Sequence, residues 1–311
     1  MCIRFLFSVS LVAFAFAGAA PARAQDKSAT LLQGALHAKL DAELTRVSEH
    51  LRGVMGYAIK DLTTGEAFNR NAVLVFPTAS SIKLAVLLEL LRQDQEGKLS
   101  LDEKHTIRHS ELPPGDTDPI LHMLGDGTAT MTLRDVATFM VVLSDNGATN
   151  ILINRVGMAN VNAEVARLGF TETRLRRLMI DIEAARQGRE NVSSPRELSG
   201  LLEKIHSGSV LDAAHTKEYF NLIGLPKDSM FNKALPATVR IEDKPGELDA
   251  VRCDAGIIEI PGHPFVMTVM TTYLASNDEG ENAIKEVARL VYEYFDRLSR
   301  SSSYGRFISE K

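Results

Sequence analysis

Tryptophan is missing from this chain of 311 residues, cysteine occurs only at positions 2 and 253, and acids outnumber bases by 40 to 35. Each shortage removes a class of explanation. Cys2 stands at the very start of the chain, so a chain that has lost its first residues keeps Cys253 alone and has no internal disulfide. A net charge of −5 argues against a nucleic-acid partner, which would want a basic face. The eight histidines are scattered, H-E-x-x-H is absent and Cys253 is solitary, so no metal is expected. No glycine-rich phosphate loop follows a strand, and no cofactor is expected. The G-x-S-x-G elbow of α/β-hydrolases is also absent. The missing tryptophan bears on no function.

What is present begins with residues 1–24, which read as an export signal, with an uncleaved membrane anchor as the alternative. Arg4 precedes the apolar stretch Phe5 to Ala20, and Ala22-Arg23-Ala24 is a small-x-small cleavage site before Gln25. The apolar stretch is short for a membrane span, which needs about 20 residues. These features predict a periplasmic or secreted chain with no stable membrane anchor after cleavage, expected to act as a monomer. With 45% hydrophobic residues, the remainder is long enough for one large or two intimately packed lobes.

Periodicity predicts the elements. Leu36, Leu40, Leu44, Val47 and Leu51 recur at helical spacing within residues 26–52. Val54 to Leu62 reads as a strand, Thr63-Thr64-Gly65 as a turn, and Ala67 to Leu74 as the partner strand. Ile82 to Leu91 is apolar nearly all round and belongs in the interior. Helices are expected after Thr132, over Ala148 to Val156, over Asn160 to Leu168, and again from the Ser194-Pro195 start. Residues 172–193 read as a long ordered loop, which compact domains seldom keep without a function. Strands are expected over Ala237 to Glu242, Ala255 to Ile260 and Pro264 to Leu274, then a helix over 279–298 and a flexible tail over 299–311. Strands at both ends with helices between predict a two-lobed α+β fold. Its antiparallel sheet is built from both chain ends and flanked by helices, with an inserted all-α lobe. The expected layout is a single catalytic domain over 25–298, with a sheet lobe of about 25–75 and 225–298 and an α lobe of about 76–224.

The chemistry centres on Ser80-Ser81-Ile82-Lys83. A serine and a lysine three residues apart at a helix start share a face, their Cβ atoms about 5–6 Å apart, so the amine can take the hydroxyl proton. The unpaired N–H groups of the same helix start favour an oxyanion. Downstream come Ser144-Asp145-Asn146 at a helix boundary and Lys244-Pro245-Gly246 at a strand end.

These ordered elements resemble the class A β-lactamases and, more broadly, the penicillin-recognising serine hydrolases, whose motif set is S-x-x-K, S-D-N and K-T-G. Phe76-Pro77-Thr78-Ala79-Ser80-Ser81-Ile82-Lys83 is similar to the family's nucleophile segment, Leu143 to Asn150 to its second element, and Gly256-Ile257-Ile258 to the strand after its third. The resemblance implies Ser80 as nucleophile, Lys83 as the group that helps deprotonate it, and Ser144 as proton relay to the leaving nitrogen. It implies Asn146, Lys244, Gly246 and Glu247 on the substrate, with the Ser80 and Glu247 N–H groups as oxyanion hole. Arg252 is a second candidate for a substrate carboxylate. The implied substrate is a β-lactam or a peptidoglycan-like small molecule. The alternatives are a cell-wall DD-peptidase or esterase, and a β-lactam-binding protein that acylates with little turnover.

Three departures separate the chain from the family pattern. Aligning Thr173-Arg174-Leu175 with the family's loop entry puts Met179 where a water-activating Glu is usual. Glu183 or Asp181 is then the candidate carboxylate for deacylation. Arg177 faces Asn191 where an Asp is usual, so the loop is expected to be held differently. Pro245 replaces the hydroxyl residue of K-T-G and removes one hydrogen bond to a substrate carboxylate. The acylation apparatus thus reads as intact and the deacylation apparatus as altered, as in a divergent branch of the family.

Overall fold

The computed structural model describes residues 27–113 and 127–307. The expected signal with its cleavage site and the last residues of the tail lie outside them. Among the described residues no helix is long and apolar enough to cross a membrane.

The described residues open with α1 (Lys27–His50), which buries Leu40, Leu44 and Val47 on one stripe. Strand β1 (Val54–Asp61) turns through Thr63 and Thr64, whose N–H groups both donate to the Asp61 carboxylate, into β2 (Ala67–Arg70). That strand stops short of the expected Leu74. Asn71 adopts a left-handed φ of 49° and sends its side-chain amide to Met55 O at 2.7 Å, which ends the ladder. After β3 (Phe76–Pro77), a 3-10 turn over Ala79–Ile82 leads into α2 (Lys83–Gln95), buried on nearly every face.

The helical part follows. A hairpin of β4 (Lys104–Arg108) and β5 (Thr128–Thr132) had little signal in the sequence, because Ile107 is its only fully buried residue. Helix α3 (Leu133–Val142) starts from a Thr132/Asp135 capping box. Helices α4 (Asn146–Val156) and α5 (Met158–Arg167) come next. The expected long loop contains the short α6 (Ile182–Arg186) and ends in β6 (Val192–Ser193), paired antiparallel to β3. Then come α7 (Pro195–His206), α8 (Ala213–Ile223) and α9 (Met230–Ala234).

Strands β7 (Arg240–Leu248), β8 (Val251–Glu259) and β9 (Phe265–Thr272) and helix α10 (Asn277–Ser299) close the fold. The antiparallel sheet has the order β2-β1-β9-β8-β7, so strands from both ends of the chain meet in its middle. Strand β7 runs further than expected, and Lys244 sits inside it, not at its end. Pro245 is tolerated there because β7 is the sheet edge, where a missing N–H need not break a ladder.

Alternation along the strands splits the core in two. Ala255, Ile257, Val266 and Met270 face the helical side with α2, α3, α4 and α7. Ile258, Phe265, Met267 and Val269 face α1 and α10. Each fully buried aliphatic or aromatic side chain contributes about 1.5–3 kcal/mol, which makes a disulfide unnecessary. The turn that carries Ser80 is held at the seam between the sheet edge and the helices.

Candidate active site

The turn that carries Ser80 is strained and tied down. Ala79 adopts φ +46°, a left-handed conformation that costs a non-glycine residue about 1–3 kcal/mol unless its surroundings hold it. Here they do. Ser81 Oγ donates to Lys244 O at 3.0 Å, the Cys253 thiol donates to Thr78 O at 2.9 Å, and the Thr78 N–H reaches Asn191 O at 3.0 Å. Gly246 lets the β7 backbone come this close. A Cβ there would lie 2.6 Å from Thr78 O, 2.7 Å from Cys253 Sγ and 3.0 Å from Ser80 N. Burial pushes the Cys253 thiol up to about 12, so this sulfur is a hydrogen-bonding strut and not a nucleophile. Ser80 itself is half-buried and lines a cleft of about 980 Å³. It sits in the 3-10 turn one step before α2, which begins at Lys83.

Two buried amines converge on Ser144. Lys83 Nζ donates to Ser144 O at 2.6 Å, Ser144 Oγ at 3.2 Å and Asn146 Oδ1 at 3.3 Å. Lys244 Nζ donates to Ser144 Oγ at 3.0 Å and to Pro245 O at 3.0 Å. Both lysines are 1% exposed. Burial drives Lys244 down to about 8, against the opposing pull of Asp243 and Asp254. Ser144 is presented by a left-handed φ of 55°, and Asp145 then caps α4 by accepting from the Ala148 N–H at 2.7 Å. A hydroxyl that accepts from two amines keeps its own proton free to point elsewhere. Such a group can pass a proton on.

The sheet-edge wall of the cleft comes from the β7–β8 hairpin. Glu247 is exposed, and Arg252 donates through Nη1 to Leu248 O and Val251 O, both at 2.8 Å. Its Nη2 stands 3.7 Å from Glu247 Oε2. Ser80, Ser144, Asn146, Lys244, Glu247 and Arg252 thus share one cleft, with Lys83 behind Ser144. Gly246 contributes backbone proximity instead of a contact of its own.

The loop between α5 and β6 forms the remaining wall, and it differs from expectation. Met179 is buried and lines the cleft. Glu183 does not: it is exposed on α6, where its carboxylate accepts from Gln187 Nε2 at 2.7 Å. Asp181 spends its carboxylate capping α6 through the Ala184 N–H at 2.9 Å. The carboxylates that do line the cleft, Asp145, Asp228, Glu247 and Asp249, come from other elements. Neither loop acid reaches the cleft, because the short helix turns both outward.

The loop is closed by a shifted ion pair. Arg177 pairs with Glu190 at 2.9 Å, one residue before the position expected to face it. Asn191 faces Arg177 as expected, but through the backbone: it accepts from the Arg176 and Arg177 N–H groups at 2.7 and 3.1 Å and donates to Arg177 O at 3.2 Å. Among the described residues no group of His, Cys, Asp or Glu is arranged to hold a metal ion. Sequence reasoning missed Cys253, Ser81 and Glu190 as organisers of the site. The nearest signal was the serine directly after Ser80.

Comparison with known proteins fits this geometry. A profile described as the Beta-lactamase enzyme family matches residues 39–295. Beta-lactamase SME-1 of Serratia marcescens is 27% identical over 302 residues, covering 94% of this chain and 96% of that protein. The crystal structure of a beta-lactamase from Chitinophaga pinensis superposes with a TM-score of 0.77 at 26% identity, over 82% of this chain and 98% of that one. A mutant of PBP-A, solved as an acyl-enzyme complex with penicillin G, superposes with a TM-score of 0.74 at 25% identity, over 85% and 97%.

Proposed function

The chain belongs to the beta-lactamase enzyme family, and from that membership we propose that it is an exported serine hydrolase that forms an acyl-enzyme at Ser80 and opens the amide of β-lactams. The observation that carries this reading is the meeting of the Lys83 and Lys244 amines on the Ser144 hydroxyl, in the cleft that Ser80 lines.

The proposed reaction is acyl transfer from the lactam to Ser80. Ser80 Oγ attacks the lactam carbonyl and its proton passes to Lys83 Nζ, which takes part in this step as the neutral amine. The N–H groups of Ser80 and Glu247 receive the oxyanion, a contribution of about 10²–10³ in rate per donor. Collapse breaks the C–N bond, and the nitrogen takes a proton through Ser144. Asn146 holds the amide of the substrate's side chain, and Gly246 lets β7 lie against the nucleophile turn.

Hydrolysis of the ester then needs a water and a base. With Met179 lining the cleft and Glu183 turned away, no loop carboxylate is placed for that task, and deacylation limits turnover. The same observation favours a second reading, a protein that acylates with β-lactams and turns over very little.

Mixing the mature protein with a chromogenic β-lactam separates the two. Product released steadily at many equivalents per protein supports the hydrolase. One equivalent released in a burst, with an adduct that persists, supports the second reading. Absence of both product and adduct sinks the proposal. Amino-terminal sequencing of the exported protein tests cleavage after Ala24.

A further inference from the structure

Three positions on the sheet-edge wall could receive an anionic group of a substrate, and each is compromised. Lys244 already donates to Ser144 Oγ and Pro245 O, both at 3.0 Å, and is almost wholly buried. Position 245 is a proline, which offers neither a hydroxyl nor an N–H. Arg252 spends Nη1 on Leu248 O and Val251 O and has Nη2 3.7 Å from the Glu247 carboxylate.

Glu247, which adjoins these three positions, has the wrong sign for an incoming carboxylate. It lies directly across the β7–β8 ladder from Arg252, lines the cleft, and keeps its side chain 55% exposed on the substrate side. Asp249 and Asp228 line the same cleft. Asp228 is answered by Lys233 at 3.0 Å and the cleft-lining Arg177 by Glu190 at 2.9 Å, whereas Glu247 faces the Arg252 guanidinium on the sheet-edge wall.

We infer that Glu247 is a specificity-determining residue: it sits as a resident anion on Arg252, so the cleft selects acyl donors that are neutral or cationic beside the scissile carbonyl over donors with a carboxylate there. A carboxylate entering this wall must displace Glu247 or lie within a few ångströms of it. Between partly solvated like charges at such distances the repulsion is worth a factor of about ten in affinity. The inference rests on the acyl-transfer reading of Ser80 for where the substrate lies, and it deepens that reading by naming the substrate class.

Binding can be read apart from chemistry in a Ser80→Ala variant. Its affinity for a cephalosporin is compared with that for the methyl ester of the same compound, with and without Glu247→Gln. The expected result is that Ser80→Ala binds the ester at least as tightly as the acid. Adding Glu247→Gln should then shift the ratio about tenfold toward the acid, less so at high salt. Tighter binding of the acid by tenfold or more, with a ratio that Glu247→Gln leaves unchanged, overturns the inference, as does no binding of either compound. Failure of the acyl-transfer reading shows up elsewhere, as no adduct on Ser80 when the wild-type protein meets either compound.

Discussion

Asn150 and Met179 are joined by two hydrogen bonds. The Met179 N–H donates to Asn150 Oδ1 at 2.7 Å, and Asn150 Nδ2 donates back to Met179 O at 3.1 Å. The clamp from α4 grips only the backbone of the loop, so the side chain at this cleft-lining position can change without loosening it.

Met179→Glu is therefore expected to restore a carboxylate beside the acyl group. General-base assistance is worth about 10²–10⁴ in rate, and the lifetime of a β-lactam adduct should shorten by that factor. Time-resolved intact mass measures it. An adduct as persistent as in the wild type would show that the loop is not where deacylation is limited.

Gly246→Ala should cripple acylation. The added methyl would lie 2.6 Å from Thr78 O and 3.0 Å from Ser80 N, both backbone atoms that cannot swing aside. The strand must then move off the nucleophile turn, at a cost of about 1–3 kcal/mol in stability. The acylation rate is expected to fall more than the melting temperature alone would explain. A variant that acylates normally would contradict the close approach.

Lys244 gives the site a pH dependence of definite sign. Its ammonium, lowered from 10.5 to about 8 by burial, is lost as pH rises through about 8. Binding of an anionic β-lactam should weaken across that step, and binding of its methyl ester should not. For stability the unfolded chain holds this proton more tightly between about 8 and 10.5, so the group adds stability as pH rises through that window. Lys244→Met should be more stable than the wild type below pH of about 8, with the gap closing above it, as thermal melts at each pH would show.

Asp254 acts with the opposite sign. Burial, and then the neighbouring Asp243, raise its carboxyl well above the usual range. The folded state holds this proton more tightly than the unfolded state, so the stability it contributes at acid pH is lost as pH rises through its folded value. Asp254→Asn mimics the protonated acid. The variant should match the wild type in acid and exceed it in alkali, and equal stability at every pH would remove the buried proton from the account.

Much of this was legible in the sequence. The apolar run after Lys83 and the strands at both ends dictated the sheet-and-helix arrangement, because buried faces leave periodic patterns. What stayed hidden depends on contacts between distant segments. No local rule puts Ala79 in a left-handed turn; it is held there by Cys253, Lys244 and Gly246 from the sheet edge. Glu183 looked available as a base because its spacing was near that of Met179, and only the outward face of α6 shows that it points to Gln187. Arg177 does face Asn191, as its position in the loop implied, but through backbone hydrogen bonds; that its charge is answered by the neighbouring Glu190 depends on where the chain turns, which periodicity does not record. The β4–β5 hairpin escaped because it is mostly exposed.

The central claim is that the Ser80 hydroxyl is made nucleophilic by amines gathered through Ser144, and peptide mapping after incubation with penicillin G tests it most directly. The account predicts one penicilloyl group on Ser80 in the wild type, none in Ser80→Ala, and acylation slowed by at least about 10² in Lys83→Ala. An adduct on another residue, or Lys83→Ala acylating at the wild-type rate, would contradict it.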